Sequence, residues 1–228
     1  RKHDPIPNHQ QGAHMKRAAS ARRWTPVRHL GLVFFPVLVF TMGTAATGRA
    51  AQVPVCGTIS TNTVWTAANV YVVNNCAVTV GSGVTLTVQP GTVVKFAGTR
   101  DVLVVQGTLL AQGTVGAPIA ITSLRDDSHG GDTNADGSSA GQAGAWSGVH
   151  FAAGSHGRLA HVFVGFGGSG AYDYDGRYGA AELESSSSDV TLDHVTLRSS
   201  GNSGLYCDNA SVAVTYAQVN DNAGYGLY

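Results

Sequence analysis

The sequence VTLDHVTLRSSGNSGLY at residues 190–206 is followed by VAVTYAQVNDNAGYGLY at residues 212–228. When Val190 is aligned with Val212, the two copies match without a gap, apolar positions coincide, and both copies end on Gly-Leu-Tyr. Repetition at a period of roughly 20 to 50 residues is typical of a solenoid, in which each repeat stacks on its neighbours. The stretch therefore predicts that each repeat forms one coil of a solenoid.

A weaker copy lies upstream, where LAHVFV at residues 159–164 matches LDHVTL at residues 192–197. The offset from Leu159 to Leu192 is longer than that from Val190 to Val212, which predicts a loop that has grown out of the coil around residues 172–184. Asn and Gly favour left-handed backbone turns, so we expect the corners of the coils at these residues. The candidates in the repeat are Gly201, Asn202, Gly204, Asn209, Asn222, Gly224 and Gly226.

Short runs rich in valine continue this pattern toward the N-terminus. Many alternate apolar with polar residues, as expected for strands with one face toward a core. Together with the repeat they predict an all-β protein, a right-handed, single-stranded parallel β-helix. The alternative is an antiparallel sandwich, which does not explain a repeat in constant register. The runs are residues 70–73, 78–80, 84–88, 92–96, 102–105, 119–122 and 149–151.

Charge is distributed unevenly along the chain, although the formal net charge is zero. Beyond residue 51 there are 13 acidic and six basic residues, a difference of about seven negative charges. Proteins that bind nucleic acids need a basic patch or stripe. The mature body has none, so we expect no nucleic-acid partner.

The N-terminal region has the pattern of a secretory signal peptide. Basic residues at 16–17 and 22–23 precede an apolar run at residues 30–42, and small residues follow at 43–51. The run is shorter than the roughly 20 residues that a spanning helix requires. We therefore predict an upstream segment at 1–14 before a start at Met15, a cleaved signal at 15–50, and a secreted or cell-surface protein. An uncleaved segment that anchors the chain in a membrane is the alternative.

Three cysteines follow the predicted signal. Export places them in an oxidising compartment, where disulfides persist. Cys56 and Cys76 flank a strand-like stretch, and we predict a disulfide between them. Cys207 is left over and is expected to be a small buried residue rather than a reactive thiol.

Several stretches of the body resemble bacterial extracellular right-handed parallel β-helix repeat proteins of the pectate-lyase-like superfamily. The resemblance covers about residues 55–228 and implies a capping segment at 51–82, coils at 83–228 and a loop insertion at 123–146. Because the chain ends at Tyr228 within a coil and without a cap, we expect it to be C-terminally truncated. The stretches are VTLTVQPGTVVKF at 84–96, VQGTLLAQGT at 105–114, PIAITS at 118–123, GGDTNADG at 130–137 and WSGVHF at 146–151.

The resemblance implies where catalytic residues would lie. Polysaccharide lyases of this fold use clustered carboxylates that hold calcium and an Arg or Lys base. The nearest candidates in the repeat are Asp193, His194 and Arg198, but the next copy has Thr, Tyr and Asn at these positions. Since no carboxylate ladder continues, we expect these residues to be solvent-facing polar positions on strands, and we predict no catalytic site.

Two loops are candidate binding sites. Tyr172, Tyr174 and Tyr178 lie in an aromatic and acidic loop that could stack on sugar rings, or could pack only against itself. Residues 132–137 (DTNADG) have oxygen ligands at Asp132, Asn134 and Asp136, followed by Gly. This is the first half of a calcium loop. Its twelfth position is Ala143.

A calcium ion at this loop would need a further carboxylate, from Asp126 or Asp127, and would have a structural role. A turn held by Asx side chains is the alternative. Two functions remain open at this point. The one we favour, because no carboxylate ladder continues, is an exported module that presents loops to glycans or partner proteins at the cell surface. The other is a polysaccharide lyase or glycosidase acting on acidic glycans, with its catalytic coils largely beyond Tyr228.

Overall fold

The computed structural model describes residues 50–170, 181–187 and 189–228. All the regular secondary structure among these residues is β-strand. Within the same residues, no helix is long and apolar enough to cross a membrane. The predicted upstream and signal segments, apart from residue 50, lie outside the described residues. The strands are β1 Ala51–Ile59, β2 Thr63–Trp65, β3 Asn69–Val80, β4 Thr85–Val88, β5 Val93–Phe96, β6 Val102–Val105, β7 Thr108–Gln112, β8 Ile119–Ser123, β9 Gly148–Phe151, β10 His156–Ala160, β11 Val162–Gly165, β12 Ala181–Ser185, β13 Val190–Asp193, β14 Thr196–Arg198, β15 Ser203–Cys207, β16 Val212–Thr215 and β17 Gln218–Asn220.

From β3 onward, successive strands join three parallel ladders in turn, so that each coil contributes one strand to each ladder. Ladder 1 contains β2, β4, β7, β10, β13 and β16, and ladder 2 contains the first part of β3 with β5, β8, β11, β14 and β17. Ladder 3 contains the second part of β3 with β6, β9, β12 and β15, while β1 pairs along β3. Every pair of named strands is parallel, so the antiparallel alternative is wrong for the described residues. The result is an all-β, solenoid-like stack whose sheets curl nearly into a barrel.

The strand register confirms both sequence alignments. Val190 lies opposite Val212, and Leu159 lies opposite Leu192, as the two offsets require. The extra residues of the longer coil lie between β11 and β12. The loop predicted at residues 172–184 extends too far, because its last residue, Glu184, lies in β12 and pairs with His150 in ladder 3.

A single apolar core fills the stack, because equivalent positions of successive coils point inward. The apolar residues Leu192, Val195 and Leu197 of the repeat are at most 1% exposed. Burying a Val or Leu side chain contributes about 1.5–3 kcal/mol each. One core column in ladder 3 runs through Val78, Leu103, Val149, Leu183 and Leu205.

Two columns of residues with left-handed backbone mark the edges of ladder 2 in its last three coils. The first corner, where the chain passes from ladder 1 to ladder 2, consists of His161, His194 and Tyr216, with φ of 49°, 51° and 51°. The second corner, where it passes from ladder 2 to ladder 3, consists of Phe166, Ser199 and Asp221, with φ of 68°, 61° and 54°.

The expectation that Asn and Gly form the corners is confirmed for the position of most of these residues but not for their conformation. Gly201 and Asn202 lie between β14 and β15, and Asn222 and Gly224 follow β17, but only Asn209 among the predicted residues is left-handed, and Gly204 lies within β15. A non-glycine residue in this region is uncommon and carries a local energetic cost. Here the parallel register requires the same sharp bend in every coil, and the packing of the coils outweighs that local preference.

The segment at 124–147 joins β8 to β9 and folds over the outer side of ladder 2. The fully buried Lys95 donates from Nζ to the Gly131 carbonyl at 2.8 Å. Trp146 is also buried, stacks on Phe96 with ring centroids 4.0 Å apart, and donates to the Gly165 carbonyl at 2.9 Å. These contacts fix the segment to the stack at Gly131 and again near its end, at Trp146.

Residues 51–82, predicted as a capping segment, contribute β1, β2 and β3 to the same ladders as the later coils. The predicted disulfide is confirmed, since Cys56 in β1 is bonded to Cys76 in β3 with Cα atoms 5.9 Å apart. It links the first coil to the second. Cys207 is half-buried, and burial raises the pKa of its thiol, which disfavours the reactive thiolate.

Candidate functional site

The predicted calcium loop contains a cluster of three carboxylates. Asp127, Asp132 and Asp136 each place one oxygen within 4.8 Å of the other two. Asp132 shapes the loop by accepting hydrogen bonds from the backbone N–H groups of Asp136 and Gly137, both at 3.2 Å. The structure thus supplies Asp127, rather than Asp126, as the additional carboxylate.

Two oxygens of this loop are buried without a hydrogen-bond partner among the described residues, namely Oδ1 of Asp127 and Oδ1 of Asn134. The other Asp127 oxygen accepts from the Ser139 backbone N–H at 2.6 Å, and Asn134 Nδ2 donates to Asp136 Oδ2 at 2.7 Å. Buried oxygens are normally paired. Oxygen ligands of this kind fit a hard cation such as calcium.

Asp126 has a different role because its bonds are satisfied locally. It accepts hydrogen bonds from Thr122 Oγ1 at 2.7 Å and from Ser128 Oγ at 2.5 Å, and it pairs with His129 Nδ1 at 2.7 Å. Burial alone would raise the pKa of Asp126, but the hydrogen bonds from His129, Ser128 and Thr122 outweigh it and lower the pKa to about 2. Asp126 therefore anchors the start of the segment as a carboxylate.

The weak catalytic candidates do not share one partner network. Asp193 Oδ1 lies 2.9 Å from His194 Nδ1, whereas Arg198 Nε donates to Asp221 Oδ2 at 2.8 Å. All four side chains are about half exposed. Exposed pairs of this kind contribute little to stability, and nothing in this geometry concentrates carboxylates around a base.

The first corner forms a continuous column of rings. His161 stacks on His194 with ring centroids 4.8 Å apart, and Tyr216 lies 4.7 Å beyond His194. Because each imidazole face is directed at a neighbouring ring, the ring edges and their nitrogen atoms border the adjacent surface. A carboxylate can only accept, so the bond to Asp193 places a proton on His194 Nδ1 and leaves Nε2 of the neutral ring as an acceptor.

A groove of about 350 Å³ runs beside this column. Phe163, Thr196 and Gln218 lie opposite one another in ladder 2 and line the groove one coil after another. The turn below the first corner closes it with Thr114, Val115 and Pro118, and Val115 is 87% exposed. We call this site, lined by residues 114–115, 118, 161–163, 194, 196, 216 and 218, the corner groove.

The apolar end of the corner groove is held from behind by the segment at 124–147. The His129 ring stacks on Phe163 with centroids 4.4 Å apart. A Cβ at Gly165 would collide with the Phe163 ring, so the absence of a side chain there lets the ring lie along ladder 2. The position of Phe163 therefore depends on contacts from two separate segments.

Sequence reasoning missed the corner groove, although a signal was present. The alignment that defines the repeat places a ring in all three copies, at His161, His194 and Tyr216. The three tyrosines that the sequence suggested instead, Tyr172, Tyr174 and Tyr178, lie outside the described residues.

A second group of missed residues lies on the outward side of ladder 3. His150 Nδ1 and Glu184 Oε1 are 3.7 Å apart, and both side chains are less than one tenth exposed. Tyr206 lies opposite Glu184 in the next coil and stacks on Tyr228 with centroids 5.2 Å apart. The pair brings one carboxylate and one imidazole together, which is fewer acidic groups than a calcium-dependent lyase site requires.

Comparisons with known proteins find no relative: no family model matches the chain, no curated protein matches it, and no solved structure matches it. The functional argument therefore rests on the residues of the site.

Proposed function

We propose that this chain is a right-handed parallel β-helix module that acts outside the cell and binds glycans in the corner groove. The observation that carries the proposal is the column of His161, His194 and Tyr216 beside a floor of polar side chains. Secretion or display at a bacterial cell surface is part of the proposal, and its support is the signal-like N-terminal sequence.

The chemistry of the groove matches that of a sugar. Sugar rings present apolar C–H faces and many hydroxyl groups. Phe163 and Val115 offer apolar surface, and the Thr196 hydroxyl, the Gln218 amide and the His194 imidazole offer donors and acceptors. A groove that combines apolar surface with a few convergent polar groups is typical of small-ligand sites.

The size of the groove favours a glycan over a partner protein. Stable protein interfaces bury about 800 Å² on each partner and centre on a well-packed apolar patch. The corner groove holds about 350 Å³, which is at the lower end of the range for small-ligand sites. It would accommodate a few sugar units.

A structural calcium ion is a further part of the proposal, held by Asp127, Asp132 and Asp136. The support is the fit of the donor set: three carboxylates that meet, with two buried oxygens that lack hydrogen bonds among the described residues. The bound ion would neutralise the repulsion between the carboxylates. It would hold the segment at 124–147 and would take no part in ligand chemistry.

The test of glycan binding uses the whole chain on an array of linear and branched, neutral and acidic oligosaccharides. The variant that replaces His161, His194 and Tyr216 by Asn removes the rings and keeps residues that tolerate a left-handed backbone. Ser199→Asn, at the second corner of the same coil, is the matched control. We expect wild type and control to bind a common set of sugars that the triple variant does not bind.

An enzyme acting on acidic glycans is the second candidate, favoured by the buried pair of His150 and Glu184. The corresponding assay follows unsaturated uronide formation from polygalacturonate with calcium present. We expect no product. Product formation by wild type that is lost in Glu184→Gln would favour the enzyme over the binding module.

A further inference from the structure

The corner groove is unusual in an acidic body because its lining contains no Asp or Glu. Beyond residue 51 the chain has 13 acidic and six basic residues, so its net charge disfavours the approach of an anion. Among the lining residues, His161 and His194 are the ones that can become positively charged. Any positive charge in the groove therefore depends on protonation.

The two imidazoles are close enough for their charges to interact. Their ring centroids are 4.8 Å apart, and both residues lie at left-handed corners whose backbone position is set by the stacking of the coils. Protonation of both would place like charges side by side, which is unfavourable. An anion bound between the ring edges would remove that penalty and would stabilise the protonated pair.

Among the described residues, few charged groups surround the pair, and the nearby His129, which stacks on Phe163, is paired with Asp126 at 2.7 Å. His194 faces Asp193 at 2.9 Å and the Tyr216 ring on its other side. Arg198, on the same side of ladder 2, is paired with Asp221 at 2.8 Å. The turn at 113–118, which lies below His161, contains no titratable side chain. Asp193 can neutralise one proton on His194, which leaves His161 as the residue whose charge faces the groove.

We infer that the corner groove binds a sugar carboxylate, as in a uronate, and that binding is coupled to uptake of a proton by the pair formed by His161 and His194. This inference rests on the proposed glycan function and adds the ligand's charge and its pH dependence. Histidine changes charge between about pH 5 and 8. A carboxyl group with a pKa of roughly 3 to 4 stays ionised over that interval. The protein, and not the sugar, therefore sets the pH dependence.

The experiment is calorimetric titration of the whole chain with trigalacturonate, and with the neutral trisaccharide galactotriose, at pH 5, 6, 7 and 8. Repeating the uronate titration in buffers with different ionisation enthalpies measures proton uptake directly. We expect the affinity for the uronate to rise roughly five- to tenfold from pH 8 to pH 5, the size of a weak surface ion pair. By linkage, a change of this size corresponds to proton uptake that peaks at roughly 0.4 to 0.5 proton per ligand. The affinity for the neutral sugar should not change.

His161→Asn and His194→Asn identify the source of the proton, since Asn cannot titrate and tolerates the left-handed corner. We expect each to reduce proton uptake, and the double variant to abolish it, while Ser199→Asn keeps it. Uptake that persists in the double variant would overturn the inference. So would uronate binding that is independent of pH, or equal affinity for the neutral sugar, and either result would leave the glycan function intact. Failure of wild type to bind any sugar on the array would overturn both proposals.

Discussion

The first and second corners bound the same short strands of ladder 2, and both use a left-handed residue in three successive coils. They differ in what they carry. The first corner is only one or two residues long in these coils, with one left-handed residue in each, and that residue carries a ring every time. On the second-corner side of ladder 2, by contrast, the connections vary in length, and the longest described one is the segment at 124–147. Phe166 packs against Gly141 there, while Asp221 pairs with Arg198.

The two corners share a left-handed bend, but the rings occur in all three coils only at the first corner. A left-handed corner is served at least as well by Gly or Asn as by a ring. The second corner meets the same requirement with Phe, Ser and Asp, so the bend alone does not explain three rings at the first. Costly local conformations that recur at one site point to a function of that site. We therefore propose that the first corner, whose connections stay short, is a ligand surface, whereas the second corner, whose connections vary in length, carries loops.

The comparison of the two corners depends on the bend at His194, which directs the next residue, Val195, into the core. Val195 follows His194 and is fully buried, whereas Thr196 points outward. Val195→Asp places an uncompensated charge in the core and should cost about 3–5 kcal/mol of unfolding free energy, measured by urea denaturation. Thr196→Asp should cost less than about 1 kcal/mol. Equal losses would show that the inward and outward assignments are wrong.

The anchoring of the long connection at the second corner can be tested through Asp126, which lies near the start of the segment at 124–147. Its folded pKa of about 2 lies below the ordinary 3.8. The carboxylate therefore stabilises the fold fully above about pH 4, and this contribution is lost as the pH falls toward 2. We expect Asp126→Asn to cost about 2 kcal/mol at pH 7 and less at pH 3, measured by urea denaturation at both values.

Asp193→Asn provides the control for this titration, because its exposed ion pair should contribute at most about 1 kcal/mol. A loss in Asp126→Asn that stays constant from pH 7 to pH 3 would contradict the assigned pKa. A loss equal to that of the control would mean that the segment is not anchored at this residue.

The shared backbone requirement of the two corners predicts matched effects of one substitution. A β-branched residue is strongly disfavoured in the left-handed region. His194→Val and Ser199→Val should each cost about 1–2 kcal/mol, whereas His194→Asn and Ser199→Asn should be nearly neutral. Thermal unfolding of the four variants provides the measurement. A neutral Val variant at either corner would show that the two bends are not equivalent.

The inward residues and the strand register could be predicted from the sequence because repetition records them directly. Val190 and Val212 occupy equivalent positions in two copies, and parallel pairing keeps equivalent positions opposite each other. The left-handed corners could not be predicted, because a preference for Gly or Asn is small beside the packing of a whole coil. His161, His194 and Tyr216 occupy those corners instead.

The candidate sites were harder to predict because distant segments form them. The corner groove joins Thr114 to Gln218, so its shape follows from the stacking of successive coils and not from any local motif. Likewise, the sequence placed Asp132, Asn134 and Asp136 together by their spacing. Only the fold of the loop decides that Asp127 completes the carboxylate cluster.

The smallest expected effect is the gain in stability when calcium binds to the segment at 124–147, where Asp127, Asp132 and Asp136 meet. Position 12 of the loop is Ala143 in place of the bidentate Glu of a complete calcium loop, so we expect a Kd of roughly 10⁻⁴ to 10⁻³ M. Binding to the folded state alone then stabilises it by about 1 kcal/mol at a few millimolar calcium.

The measurement is the Tm of wild type with calcium and with equal magnesium, beside Asp127→Asn and Asp136→Asn. Magnesium should act less, because it demands a stricter octahedral site. The same segment carries His129 behind Phe163, but Asp126 fixes that end of the segment without the ion, so uronate affinity at the first corner should change little when calcium is removed. An equal rise in Tm for wild type and both variants would remove the calcium site, and a calcium-dependent uronate affinity would show that the two corners are coupled.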